Sequence, residues 1–139
     1  MTEDNLRQAT KEFFRCYWSI DNGEQPEWSH HWNFNGSIPN NNKRGCYVLF
    51  RNKDVVYVGI GIGKGTGMYQ GCGLGFRLKK YWAVNRDKDK NTKYKPTSNW
   101  TELTSVMTIG FEEKHYPLAA ALEIYLINKL NPPRNSLHK

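Results

Sequence analysis

The chain has 139 residues, of which 38% are hydrophobic, 24% charged and 14% aromatic. That is one domain's length, aromatic enough to fold around a single core, and no apolar run approaches the ~20 residues of a membrane helix. Lys and Arg outnumber Asp and Glu by 20 to 13, and the net charge of +7 favours a polyanionic partner.

No charged-then-apolar leader opens the chain, so an intracellular, cytoplasmic protein without a membrane partner is expected. Cys16, Cys46 and Cys72 are too widely spaced for a disulfide framework or a zinc site. His30, His31, His115 and His138 stand at no metal-ligand spacing with Cys or Glu.

In chain order, Asp4 to about Ile20 is predicted as a helix, because Leu6, Ala9, Phe13, Phe14, Tyr17 and Trp18 fall near helical spacing. Thr2 or Asp4 can cap it, and Asn22-Gly23 stops it. Gly23 to Arg44 has no period and reads as an irregular segment packed down by Trp28 and Trp32. Cys46 to Phe50 and Val55 to Ile60 are β-branched and aromatic, and Arg51-Asn52-Lys53-Asp54 joins them as a hairpin. Gly59 to Gly75 holds most of the 12 glycines and reads as a loop whose backbone can approach a ligand. Gly75 to about Val84 is predicted as a short helix, and Asn85 to Asn99 as a polar, basic surface segment. Val106 to Phe111 is a third strand. Pro117 suits a first helical position, Leu118 to Leu130 continues the helix, and Asn131-Pro132-Pro133 ends it.

Three features carry chemistry. Glu123 interrupts an otherwise apolar helix, and a buried carboxylate needs a cation, a metal or a proton. Taken alone, it is better explained by a helix face that turns to solvent there or by an ion pair with Lys or Arg. Arg77 and Tyr81 stand four apart, on one face of the predicted helix, and Arg is the natural clamp for a phosphate. Tyr47 and Tyr57 lie on the hairpin, where tyrosines usually pack, yet a phenol beside a cation can orient or deprotonate water. The glycine loop fits neither nucleotide motif. Gly63-Lys64 is followed by Gly65, its spacing from Gly59 is one residue short of a P-loop, and G-x-G-x-x-G occurs nowhere from Gly59 to Gly75.

Taken together, Gly45-Cys46-Tyr47, Tyr57-Val58-Gly59, Arg77, Glu123 and the ending Asn131-Pro132-Pro133-Arg134-Asn135 resemble the GIY-YIG nuclease family in content and order. The resemblance covers Gly45 to Asn135. Cys46 and Val58 replace the family's isoleucines, and the glycine loop is longer than in the shortest members. The resemblance implies an α+β fold, a small antiparallel three-stranded sheet flanked by helices, as a catalytic domain over residues 45–139. Residues 1–44 form an N-terminal helix and an aromatic-rich extension. It further implies a metal-dependent endonuclease with one divalent cation, Mg²⁺ or Mn²⁺, held by Glu123. Arg77 would bind the phosphate, and Tyr47 and Tyr57 would handle the attacking water. Tyr81 would stand beside the nucleophile, and Asn135 would support the site by hydrogen bonding. Lys64 would lower a tyrosine's pKa.

Lys79, Lys80, Arg86 and Lys88, continued by Lys90, Lys93 and Lys95, form a basic flank able to track a phosphate backbone. The expected partner is nucleic acid, DNA ahead of RNA, and a homodimer would serve an enzyme that cuts both strands. Two other readings stay open: an inactive nucleic-acid-binding module of the same fold, and a protein-interaction domain acting through the aromatic segment Phe13 to Phe34.

Overall fold

A computed structural model describes residues 1–64, 72–87 and 92–135. The fold is α+β: a three-stranded antiparallel sheet in the order β2-β1-β5, flanked by helices, with a separate two-stranded hairpin β3-β4. The strands are β1 (Arg44–Arg51), β2 (Asp54–Gly61), β3 (Trp82–Val84), β4 (Tyr94–Pro96) and β5 (Ser105–Phe111). The helices are α1 (Glu3–Tyr17), α2 (Gly73–Leu78) and α3 (Pro117–Leu130). No helix among the described residues is long and apolar enough to cross a membrane.

Helix α1 starts where Thr2 N–H donates to Asn5 Oδ1 at 2.9 Å, and Glu3 and Asp4 complement its dipole. It ends at Tyr17, short of the predicted Ile20. Trp18 adopts an extended conformation and its indole N–H donates to the Gly23 carbonyl at 2.9 Å, drawing the chain into a separate 3-10 turn over Ile20–Asn22. The irregular stretch that follows runs along the outer edge of β5. Trp28 and Trp32 form single bridges to Ile109 and Val106, and the Trp28 indole donates to Thr10 Oγ1 at 2.8 Å.

The β1–β2 hairpin turns at Asn52, whose φ of 54° is a left-handed value that Asn tolerates. Side chains alternate across the sheet, so its two faces carry separate cores. On one face Cys46, Val48, Phe50 and Val58 meet Leu6, Phe13 and Phe14 of α1 and Leu122 and Leu126 of α3. On the other, Tyr47, Leu49 and Val106 meet Trp32, Phe34, Leu74, Leu78 and Tyr81. Burying each large apolar side chain contributes about 1.5–3 kcal/mol, which is why a chain this short can support two cores.

Two predicted elements are corrected. The helix predicted from Gly75 to Val84 spans Gly73–Leu78, and Trp82–Val84 is a strand. Tyr94–Pro96, expected within a surface segment, pairs with that strand. The aromatics decide both outcomes: Trp82 stacks on Trp32 and Phe34, and Tyr94 N–H donates to the Phe34 carbonyl at 2.9 Å. Tertiary packing outweighs the weak helical preference of this stretch.

Candidate active site

The two tyrosines of the hairpin are brought together by register. Tyr47 stands opposite Gly59, and Tyr57 opposite Leu49, so both project from the same face as diagonal neighbours. Their ring centroids are 6.2 Å apart. Tyr47 is fully buried and its ring lies over Gly59, where a Cβ would come within 2.6 Å of Cε2 and nearer still to Cζ and Oη. Glycine is required there because the tyrosine occupies the space.

Helix α2 docks against the far end of the hairpin by glycine contact. A Cβ on Gly61 would stand 2.7 Å from the Gly73 carbonyl oxygen. Leu74 and Leu78 are buried toward the sheet, and Arg77 is left exposed beside the tyrosines. Tyr81 falls beyond the helix, so Arg77 and Tyr81 do not share a helical face. The turn after Leu78 instead returns Tyr81 to the sheet, where its Oη is 2.7 Å from Tyr47 Oη and its ring centroid is 5.6 Å from that of Tyr47.

Burial raises both of the paired phenols. Burial pushes Tyr47 up to about 12, while its hydrogen bond with Tyr81 and the neighbouring Arg77 guanidinium act in the opposite direction. Burial, with Tyr47 as the next contributor, raises Tyr81 further still. Contact with Tyr47 also raises Arg77, which stays a fixed cation.

Glu123 comes from α3, on the other side of the sheet. It is half-buried, burial raises its carboxyl pKa, and the charge of Arg77 opposes that shift. Its neighbour Cys46 is buried, and the thiol donates to the Ala119 carbonyl at 3.0 Å. Among the described residues no three His, Cys, Asp or Glu side chains gather into a metal cluster. A cation at Glu123 would take water and substrate oxygens for much of its shell. A hard cation accepts such a set.

The raised carboxyl has a consequence for stability. The folded pKa lies above the unfolded one, so the ionised form costs stability at neutral pH; the cost shrinks as pH falls through the folded pKa and is gone below the unfolded one. Glu123→Gln is therefore expected to melt higher than the parent at pH 7 in chelator, with the two melting curves converging in acid. A lower-melting variant at pH 7 would show instead that the ionised carboxylate stabilises the fold.

Asn135 reaches the site through the backbone. Its Oδ1 accepts from Val58 N–H at 2.8 Å and its Nδ2 donates to the Val58 carbonyl at 2.9 Å. Arg134 N–H adds a bond to the Val56 carbonyl at 2.9 Å. The chain end thus pairs with the open edge of β2 on both sides of Tyr57, which makes Asn135 a positioning residue. Asn135→Ala should destabilise the protein by about 2 kcal/mol in urea titration, because it leaves a buried amide and carbonyl unpaired.

Trp100 and Arg134 complete the cluster, and the sequence singled out neither for this role. The Trp100 ring centroid lies 5.5 Å from that of Tyr57 and 5.0 Å from that of Tyr81. The Arg134 guanidinium covers it at 3.7 Å and pairs with Glu102. The one local signal was the position of Arg134 within the Asn-Pro-Pro-Arg-Asn ending.

The basic residues are distributed unevenly. Lys80 Nζ lies 5.1 Å from the Tyr81 ring centroid, and burial, with the nearby Arg77 charge, lowers its pKa. Lys79 Nζ lies 4.4 Å from the Phe76 ring centroid. Arg86 is exposed, and Lys64 is exposed just beyond β2. Lys88 and Lys90 lie outside the described residues. Compared with protein families, with curated proteins and with solved structures, the chain matches none, so any functional assignment rests on its own sequence and geometry.

Proposed function

We propose that this chain is a metal-dependent endonuclease of GIY-YIG type that hydrolyses phosphodiester bonds in nucleic acid, DNA ahead of RNA. The observation that carries this reading is the tyrosine cluster of Tyr47, Tyr57 and Tyr81 beside Arg77, with Glu123 within reach of the same arginine's charge.

Phosphodiester hydrolysis needs an oriented water, neutralisation of charge at the phosphate, and stabilisation of the leaving oxygen. Arg77 is exposed and permanently charged, so it can clamp the phosphate and take up charge that develops in the transition state. Tyr57 is half-buried, whereas Tyr47 and Tyr81 are buried and bonded to each other. The greater exposure of Tyr57 favours it as the phenol that meets water, and the Tyr47–Tyr81 pair would fix its surroundings. Glu123 would hold Mg²⁺ or Mn²⁺, which when bound supplies Lewis-acid charge at the phosphate. Lys80, beside the Tyr81 ring, would add a second cation. In the segment Phe13 to Phe34, Phe13, Phe14, Trp28, Trp32 and Phe34 are buried, whereas Tyr17 and Ile20 are exposed.

The test incubates the protein with duplex, single-stranded and branched DNA and with RNA, in Mg²⁺ or Mn²⁺, beside Glu123→Ala. Cleavage that the variant loses by on the order of a hundredfold or more is expected. Binding without cleavage by the parent protein would replace this reading with an inactive binding module.

A further inference from the structure

A cleft of about 440 Å³ opens beside α2, within the range of roughly 300–1,000 Å³ typical of small-ligand sites. Gly75 and Lys79 line it from one flank of the helix, whereas Arg77, two positions from each, projects from the other flank toward Tyr47. The opposite wall is aromatic. Trp82 and Tyr94, on the paired strands β3 and β4, are both half-buried and leave part of each ring to solvent. Trp32 forms the floor, its ring centroid 4.5 Å from Trp82 and 5.9 Å from Tyr94. Asn41 closes the end, its carbonyl accepting from Gly75 N–H at 3.0 Å, and a Cβ at Gly75 would block that approach.

We infer that this cleft receives an unpaired nucleobase of the substrate, next to the bond that is cut. The inference rests on the nuclease reading above. Planar apolar rings bind the face of any base, and cations beside them hold the adjoining phosphate. Lys79 stands at one lip, and at the other Lys93 Nζ lies 5.4 Å from the Tyr94 ring centroid. A base inside a duplex has both faces covered by its neighbours and cannot enter unless it is extruded. The preferred substrate is therefore nucleic acid carrying an unpaired base near the scissile phosphate: a single strand, a bulge or a flap.

The test measures equilibrium binding by Glu123→Ala protein in chelator. The ligands are a fully paired DNA duplex, the same duplex with one unpaired base, and the single strand. The two ligands with unpaired bases should bind more tightly than the paired duplex. Trp82→Ala should weaken them by about tenfold while leaving the paired duplex unchanged. Because Trp82 also packs on Trp32, a second variant, Ala83→Trp, fills the mouth from an exposed position without removing a core contact. It should give the same selective loss. Equal affinity for all three ligands, or equal weakening of all three by both variants, overturns the cleft assignment and leaves the nuclease reading intact. Failure to bind any of the three overturns both.

Discussion

Arg77→Ala is expected to slow phosphodiester cleavage by on the order of a hundredfold or more, with little change in melting temperature. The two halves of that expectation have separate causes. Helix α2 is held by Leu74 and Leu78, both buried against the sheet, while the Arg77 side chain is exposed and packs into neither core. Removing it costs the fold little. The guanidinium is nevertheless the cation beside Tyr47, and its charge is felt at Tyr81 and Glu123. In the proposed reaction its loss would remove phosphate neutralisation, and it would let the phenol pair drift further from ionisation. Arg77→Lys should recover part of the rate, since the charge returns without the planar fork that binds two oxygens at once. Single-turnover rates at saturating enzyme are the measurement, beside a thermal melt of each variant. A rate within a factor of about three of the parent would remove Arg77 from the chemistry.

Gly59→Ala should damage both stability and activity. The added methyl would overlap the ring of Tyr47, which is buried between Tyr57 and Tyr81 and has no open side to move into. Overpacking of this kind costs about 1–3 kcal/mol. Moving the ring also breaks the Tyr47–Tyr81 contact, so cleavage is expected to fall by on the order of a hundredfold. Gly63→Ala is the control, because among the described residues a Cβ there meets nothing within 4 Å. A Gly59→Ala protein that cleaves at the parent rate would show that the position of the Tyr47 ring is irrelevant to the reaction.

The hairpin was legible because strand chemistry is local. β-branched and aromatic runs on either side of Asn52-Lys53 predict two strands and a turn, but the turn alone would pair Tyr47 with Val58; a register shift between Leu49 and Phe50 gives the observed pairs Tyr47–Gly59 and Gly45–Gly61 and brings Tyr57 to the face of Tyr47. The α3 helix was legible for the same reason, with Pro117 at its start and Asn131 in a left-handed conformation at its end. The stretch from Gly73 to Pro96 was misread. Its short helix and short strands carry little periodicity, and aromatic contacts with Trp32 and Phe34, far away in sequence, decide its conformation.

By itself the sequence determined the order and type of the main elements and the residue kinds available for chemistry: phenols, one arginine, and one carboxylate on an apolar helix. Local propensity and spacing suffice for these. Only the tertiary structure decided which of these residues meet. Arg77 and Tyr81 approach Tyr47 from different elements, Glu123 comes from the layer beyond the sheet, and Asn135 acts on the backbone beside Tyr57. It alone also set the tyrosines apart, because burial is what drives Tyr47 and Tyr81 away from ionisation, and burial is a property of the packed layers around a side chain.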